Sequence, residues 1–420
     1  MVDHRSDVAE LVTGWRDSAD ETNRSPVGQS HIHREKRSPG RHENTDKRVR
    51  TPAMASGMQA ALHARSDPPP AWLVSLRADV LDAVSDFLGD TCADALRGSH
   101  VDITERVLRE MLAEGKCLRS TYLYLGWRAG ADGSRAAGRA AGSLEFLHAF
   151  ALFQDDVMDE SPMRRGRPSA HRAFEDWHRE RGLPGSSERF GESAAVLLGD
   201  LCLVWAEQML RQCGLPAESL ARAWPRYDDM RTELAVGQFA DLVNDTAGFP
   251  TLDRVLDVAR RKSGNYTVRR PLEIGAALAG CDDAVSEALG RYGENIGEAF
   301  QLRDDLLGVF GAPATTGKPI GTDLVARKAT TVVVAAYELA TGAQQRQFKE
   351  FMTAERLGDD DIARWQNLIS EVGTVQRIED LIHSRFTAAT AALDGVAGAL
   401  DPEVRAALVA TAAACTERAA

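Results

Sequence analysis

Apolar residues recur at three- and four-residue spacing along almost all of the chain from Ala71 onward, and this periodicity restricts the fold more than any other feature. The first such segment places Leu73, Leu76, Val80 and Val84 on one face of a helix. Alternating polar and apolar residues, which would indicate strands, are absent, and Gly and Pro residues separate the segments. The pattern predicts an all-α fold built as a single large helical bundle over residues 71–420.

Residues 1–70 differ in composition from the rest of the chain. The stretch 30–50 is rich in His, Arg, Lys, Asn and Ser and nearly free of large apolar residues. Such a segment cannot bury enough apolar surface to offset the entropy lost on ordering. We therefore expect a disordered leader over 1–70, followed by one all-α domain.

Charge and cysteine content exclude several classes of protein. The net charge of −12 argues against binding to nucleic acid, which requires a basic surface. None of the six cysteines forms a C-x-x-C pair, so we expect reduced thiols in a cytoplasmic protein. No run approaches the length of about 18 apolar residues that a membrane span requires, and we expect no transmembrane segment.

The first acidic cluster ends a long apolar helical segment with the residues Asp155, Asp156 and Asp159. Asp155 and Asp159 are one helical turn apart and share a face, where like charges destabilise a helix. A hard divalent cation would offset that repulsion, and Mg²⁺ binds through carboxylates together with substrate phosphates. Arg164 and Arg165 follow, and guanidinium groups match phosphate oxygens, so the pair indicates a phosphate-bearing ligand.

The second acidic cluster, Asp304 and Asp305, also ends an apolar-periodic helix. A loop rich in Gly and Pro follows and carries Lys318, and Lys328 opens the next helical segment. An Asp pair alone is weak evidence for a site. Together with the first cluster and this basic loop, it predicts a second acidic wall around the same ligand.

These motifs resemble those of the trans-polyprenyl diphosphate synthase family, from about Ala71 to the C-terminus. The D-D-x-x-D and R-R-G sequences at 155–166 are similar to its first motif, and Q-x-R-D-D-x-x-G with T-G-K-P-x-G-x-D-L, at 301–324, is similar to its second. Upstream, G-K-x-x-R at 115–119 is similar to a third family element. The resemblance implies an isoprenoid-synthase bundle with a central cavity, a Mg²⁺ cofactor, a homodimer, and condensation of isopentenyl diphosphate with an allylic diphosphate.

The resemblance also implies roles for individual residues. The Mg²⁺ ligands would be Asp155, Asp156, Asp159, Asp304 and Asp305. The groups holding the allylic diphosphate would be Arg164, Lys262, Lys318 and Lys328. Those holding isopentenyl diphosphate would be Lys116, Arg119, His148 and Arg165. Further residues lining the substrates would be Gln238, Ser263 and Gln301. The predicted catalytic set consists of the five aspartates, Lys262 and Gln301.

Some positions depart from the usual family pattern. Gly308 replaces the third aspartate of the second motif, and Gln154 stands where His is common before the first motif. Cys117 and Ala329 stand where basic residues are usual, and this loss of positive charge weakens the expected binding of the second diphosphate. None of these changes removes a predicted metal ligand.

Product length depends on the residues upstream of the first cluster. Phe150 lies five residues before Asp155, about 7–8 Å down the axis at roughly 1.5 Å per residue, and Ala151 is small. An aromatic residue at that position, with no insertion in the first motif, resembles the archaeal type of geranylgeranyl diphosphate synthase. We expect a twenty-carbon product, with the fifteen-carbon farnesyl product as the alternative.

Two other functions remain open at this point. A class I terpene cyclase resembles a synthase around the first motif, but the N-D-x-x-S-x-x-x-E motif of cyclases is absent from this sequence. A non-catalytic modulatory subunit of a prenyl synthase is expected to lose metal ligands or diphosphate-binding lysines. The chain retains both, which favours an active synthase.

Overall fold

The computed structural model describes residues 70–113, 115–246, 249–312 and 320–417. The predicted leader lies, apart from Pro70, outside the described residues, so the division of the chain at residue 70 stays a prediction. Glu114 and the loop 313–319, which includes Lys318, are also outside them.

The described residues are almost entirely helical, which confirms the predicted all-α fold. The first half contains α1 (Ala71–Phe87), α2 (Ala93–Arg97), α3 (Thr104–Ala113), α4 (Leu118–Arg128), α5 (Arg135–Met158), α6 (Ala170–Glu180), α7 (Ser187–Arg211) and α8 (Ala217–Thr246). The second half contains α9 (Leu252–Ala259), α10 (Arg270–Ala279), α11 (Asp283–Phe310), α12 (Thr322–Val325), α13 (Thr331–Leu339), α14 (Gly342–Thr353), α15 (Asp359–Glu371), α16 (Thr374–Asp394) and α17 (Pro402–Thr416).

Two kinds of local structure depart from the predicted α-helices. A two-residue antiparallel hairpin joins β1 (Met163–Arg164) to β2 (Arg167–Pro168). Its turn residues Arg165 and Gly166 both have positive φ, 53° and 75°, the geometry of a tight hairpin turn. Two π-helical segments, Leu88–Cys92 and Arg260–Arg269, interrupt the predicted helices, and such segments recur at functional sites.

Two apolar cores hold the helices together. The larger packs side chains from α1, α4, α5, α7, α10 and α17 around fully buried residues such as Phe146, Tyr122 and Leu123. The smaller joins the C-terminal half of α11 to α13, α15 and α16 around Trp365 and Phe348. Helix α5 therefore carries the first acidic cluster out of one core, and α11 carries the second cluster along the other.

A close crossing of two glycines fixes the π-helical segment against α11. A Cβ atom added at Gly297 would lie 2.7 Å from the carbonyl carbon of Gly264, and one added at Gly264 would lie 3.0 Å from the carbonyl carbon of Gly297. Neither backbone can move away without disturbing its own helix. The contact therefore brings Lys262 alongside the helix that carries Asp304.

Helix α7 is long and apolar enough, by length and composition alone, to cross a membrane. Within the described residues it is the single helix that meets both criteria, and 44% of its most apolar stretch is buried against the rest of the protein. Core helices of proteins outside membranes meet the same criteria, so the feature is weak evidence for a membrane span.

Candidate functional site

Lys262 joins three elements at one end of the bundle. Its Nζ donates to Asp155 Oδ1 at 3.0 Å and to Asp241 Oδ2 at 2.6 Å. The π-helical segment, the last turn of α5 and helix α8 meet at this contact. Burial raises the pKa of Asp155, but the charge and hydrogen bond of Lys262, together with the charges of Lys328 and Arg164, lower the pKa below its usual value.

Lys328 makes the matching contact on the other side of the first cluster. Its Nζ donates to Asp159 Oδ2 at 2.7 Å, linking the end of α5 to the segment before α13. Burial lowers the pKa of Lys328, but the charge and hydrogen bond of Asp159, together with the charges of Asp155 and Asp323, give a net upward shift of the pKa. The two carboxylates on one face of α5 thus each hold an ammonium group.

Asp156 faces a different environment from its neighbour. It is fully buried, and Arg164 donates to it from both Nε, at 3.0 Å, and Nη2. The β1–β2 hairpin folds Arg164 back over the end of α5. Burial raises the pKa of Asp156 and the arginine opposes that shift, so the pair anchors the hairpin to the acidic cluster.

Asp305 is also turned away from its neighbour in sequence. It is buried and accepts hydrogen bonds from the backbone N of Thr331 at 3.0 Å, from the Thr331 hydroxyl, and from Gln301 Nε2 at 2.7 Å. Burial raises its pKa to about 7. Asp304, one residue earlier, is exposed, because consecutive helical residues point in directions about 100° apart.

The carboxylate of Asp323 fills the space beside Gly308. A Cβ atom added at Gly308 would overlap Asp323 Oδ2 and lie 2.6 Å from Cγ. Asp323 belongs to α12, directly after the basic loop. The position where the second motif has Gly instead of Asp is therefore beside a carboxylate that comes from a different element.

The predicted residues for the second diphosphate lie together behind the first cluster. The Arg119 guanidinium stacks over the ring of Tyr266 at 4.2 Å, and His148 lies 6.4 Å from the same ring. Arg119 Nε and His148 Nδ1 are buried polar atoms without a hydrogen-bond partner among the described residues. Burial, followed by the charge of Arg119, holds the pKa of His148 well below its usual value.

The remaining predicted residues lie around this arrangement. Lys116 is exposed at the loop before α4, and Arg165 donates to the carbonyl of Met111 at 2.9 Å. Gln238 Nε2 lies 3.8 Å from the sulfur of Met158, beside the first cluster. Ser263 is half-buried next to Lys262. The predicted pocket residues Phe150 and Ala151 are partly buried and pack against the larger core.

Sequence reasoning gave no role to Tyr266, Thr331 or Asp323. Tyr266 lies four residues after Lys262 and is 3% exposed, with its hydroxyl unpartnered among the described residues. Helical spacing from Lys262 would have indicated a shared face. Thr331 is an ordinary helix-start residue, and its bond to Asp305 carries no signal in the sequence.

The donor chemistry of the site fits a hard divalent cation. Asp155 and Asp159 offer carboxylate oxygens one turn apart, and Asp304 offers an exposed carboxylate near the end of α11. Within the described residues, no three acidic, His or Cys side chains lie close enough together to hold a metal ion by themselves. Lysine ammonium groups instead neutralise the charges of Asp155 and Asp159. The buried nitrogens of Arg119 and His148 behind these aspartates lack hydrogen-bond partners among the described residues. They suit a site that binds a polyanion together with the metal better than a metal site made of protein groups alone.

Comparison with known proteins decides the family. The family model described as polyprenyl synthetase matches residues 101–369. The chain belongs to the polyprenyl synthetase family. Geranylgeranyl diphosphate synthase of Mycobacterium tuberculosis is 33% identical over 67% of this chain and 75% of that protein. The (2E,6E)-farnesyl diphosphate synthase of the same organism is 35% identical over 52% of this chain and 56% of its own length.

A solved structure agrees with this assignment. Geranylgeranyl pyrophosphate synthase from Corynebacterium glutamicum, complexed with isoprenyl diphosphate and magnesium, is 36% identical, with a TM-score of 0.76. The alignment covers 82% of this chain and 99% of that one. The protein is a trans-prenyltransferase that elongates prenyl chains, in a family that uses isoprenyl diphosphates and depends on divalent metals. The relatives carry different product names, so the comparison leaves the product of this enzyme open.

Proposed function

We propose that this prenyltransferase condenses isopentenyl diphosphate with an allylic diphosphate and releases geranylgeranyl diphosphate. The observation that carries the proposal is the pairing of Asp155 with Lys262 and of Asp159 with Lys328 on one face of α5. Two carboxylates and two ammonium groups so arranged can exchange partners, because the carboxylates can bind metal while the lysines bind phosphate oxygens.

Mg²⁺ is the proposed cofactor, held by Asp155, Asp159 and Asp304. When bound, it supplies Lewis-acid stabilisation of the departing diphosphate. Asp156 and Asp305 belong to the same motifs, but their contacts with Arg164 and Thr331 support a role in fixing the ends of α5 and α11. The similar synthase from Corynebacterium glutamicum was solved in complex with magnesium, which supports this choice of metal.

The two substrates would use separate groups of basic residues. Arg164, Lys262 and Lys328, joined by Lys318 from outside the described residues, hold the allylic diphosphate. Lys116, Arg119, His148 and Arg165 hold isopentenyl diphosphate, with Gln238, Ser263 and Gln301 beside the substrates. The unpartnered Arg119 Nε and His148 Nδ1 support this division, since diphosphate oxygens would satisfy the arginine donor and the Nδ1–H tautomer of His148.

The reaction breaks the allylic carbon–oxygen bond and forms one carbon–carbon bond. Lys262 and the other cations stabilise the negative charge that develops on the leaving diphosphate. The double bond of isopentenyl diphosphate attacks the resulting allylic cation, and a proton then passes to the released diphosphate. Apolar side chains on α5 exclude the water that would otherwise capture the cation.

Phe150 is the proposed end of the elongation pocket, with the small Ala151 beside it. Both are partly buried on the helix that leads down from Asp155, and an aromatic ring there leaves depth for a twenty-carbon chain. The fifteen-carbon farnesyl product is the alternative, which the similarity to a farnesyl diphosphate synthase supports.

We also propose that the protein is a homodimer and that it lies in the cytoplasm. Helices α7 and α8 expose large apolar side chains, an arrangement that marks an interaction surface; they are Leu197, Leu201, Val204, Val236, Phe239, Leu242 and Val243. Phe239 is 72% exposed. All six cysteines lie in the described residues, and none of them forms a disulfide there, as in a reducing compartment.

Release of inorganic diphosphate tests the metal-dependent step. The protein is incubated with isopentenyl diphosphate and an allylic primer, with Mg²⁺ or with a chelator. Diphosphate release that requires both substrates and Mg²⁺ is expected, and substitution Asp155→Asn should abolish most of it. Release that is equal with chelator, or that occurs without isopentenyl diphosphate, would contradict the proposal, and the second outcome would favour a cyclase.

A further inference from the structure

Glu145 is a buried carboxylate outside the acidic clusters. It lies on α5, three residues before His148, and is 4% exposed. Residues three apart on a helix share a face, so Glu145 lies one layer deeper than the predicted diphosphate ligands. Burying a carboxylate without compensation is costly, and its retention here requires a reason.

The loop that precedes α4 and the first turn of α4 both contact this carboxylate. Ser120 Oγ lies 2.6 Å from Glu145 Oε1, and a Cβ atom added at Gly115 would lie 2.8 Å from Oε2. Gly115 is held from the other side by Arg77, whose Nε donates to its carbonyl at 3.2 Å. Residues on both sides of Lys116 therefore contact Glu145, Gly115 through its backbone and Ser120 through its hydroxyl.

Three arginines act on the same carboxyl group. Burial raises the pKa of Glu145, and the charges of Arg119, Arg165 and Arg77 oppose that rise. Arg119 comes from α4 and Arg165 from the β1–β2 hairpin, so the carboxylate attracts groups from two separate elements. Each of these two arginines is a proposed ligand of isopentenyl diphosphate.

We propose that Glu145 is a positioning residue that holds the loop of Lys116 together with Arg119 and Arg165 in the geometry that binds the isopentenyl diphosphate. The inference rests on the proposed function of those three residues. Glu145 itself touches no substrate, because it lies behind them. A glutamate retained for folding alone would stabilise the protein without affecting one substrate more than the other.

Steady-state kinetics with both substrates distinguish these roles. Substitution Glu145→Gln keeps the shape of the side chain and removes its charge. The expected result is a rise of about tenfold in KM for isopentenyl diphosphate, with KM for the allylic diphosphate changed by less than about twofold. Substitution Glu145→Asp keeps the charge and should give an intermediate KM, which also covers the case in which the first variant does not fold.

Glu298→Gln is the matched control. Glu298 is 5% exposed and accepts from Arg385 Nε at 2.8 Å, so this variant also removes a buried charge beside an arginine. It should lower stability and leave the ratio of the two KM values unchanged. Equal changes of both KM values in the Glu145 variants, or none, would overturn the inference while the proposed function stands. If the unsubstituted protein elongated no primer, the proposed function would fall and the inference with it.

Discussion

The carboxylate of Asp323 lies so close to the Cα of Gly308 that no larger residue fits there without moving it. Gly308 stands at the position where the second motif commonly has its third aspartate. The acidic group nearest that position is thus supplied by α12. This relationship explains how the chain tolerates glycine within the motif, and it makes the two residues interdependent.

Restoring the aspartate should therefore harm the enzyme. Substitution Gly308→Asp forces a side chain into Asp323 and adds a like charge, and overpacking of this kind costs about 1–3 kcal/mol. The double variant Gly308→Asp with Asp323→Gly should recover most of the lost stability, measured by urea unfolding. Gly138→Asp on α5, where nothing lies within 4 Å of an added Cβ, is the control. Equal losses in the single and double variants would contradict the pairing.

Removing the ammonium group of Lys262 should slow the chemical step. Lys262→Ala leaves Asp155 and Asp241 without their shared partner and removes a cation from the leaving diphosphate. A loss of about 10²-fold in kcat is expected, as for the removal of one preorganised charge-stabilising group. Lys349→Ala, at an exposed lysine on α14, should leave kcat unchanged. A normal kcat for Lys262→Ala would exclude the lysine from the site.

Shortening Phe150 should lengthen the product. Phe150→Ser removes the ring at the proposed end of the pocket, so elongation should continue past twenty carbons. Leu152→Ser changes a half-buried residue of the same helix on another face and should leave the length distribution as it is. Reversed-phase chromatography of the dephosphorylated products measures their chain lengths. An unchanged length distribution for Phe150→Ser would show that Phe150 does not form the end of the elongation pocket.

The stability of the protein should depend on pH through Glu145. Its pKa is raised by burial above the ordinary value of 4.5, so the folded state holds the proton more tightly than the unfolded state. The resulting stability is fully present below pH 4.5 and is lost as the pH rises through the folded-state pKa. Relative to Glu145→Gln, the unsubstituted protein should therefore lose unfolding free energy as the pH rises above 4.5. If the difference in unfolding free energy between the two proteins stayed constant above pH 4.5, ionisation of Glu145 in the folded protein would carry no free-energy cost.

Arg303 should contribute to stability rather than to substrate binding. It is 4% exposed, pairs through both terminal nitrogens with Glu379, and donates from Nε to the carbonyl of Thr416 at 2.7 Å. Arg303→Met leaves the Glu379 carboxylate unpaired and should cost about 3 kcal/mol in unfolding free energy. Arg364→Met, at a 69% exposed arginine, should cost almost nothing. A raised KM in Arg303→Met without a loss of stability would contradict this assignment.

The helical periodicity predicted the fold well because apolar spacing directly reports which face of a helix is buried. It predicted a long helical segment that ends in the first acidic cluster, and the structure has that helix at Arg135–Met158. It missed the hairpin at Arg165 and Gly166, where two consecutive residues with positive φ depend on tertiary packing. It also could not show that Lys262 meets Asp155, since 107 residues separate them. The role of Asp323 beside Gly308 was hidden for the same reason.

The chain length of the released product tests the central claim most directly. The purified protein is incubated with Mg²⁺, labelled isopentenyl diphosphate and, separately, dimethylallyl, geranyl and farnesyl diphosphate, and the products are separated by chromatography. We predict a twenty-carbon product from each primer that is accepted. Failure to elongate any of the three primers would contradict the account, and a product that stops at fifteen carbons would contradict its assignment of the pocket.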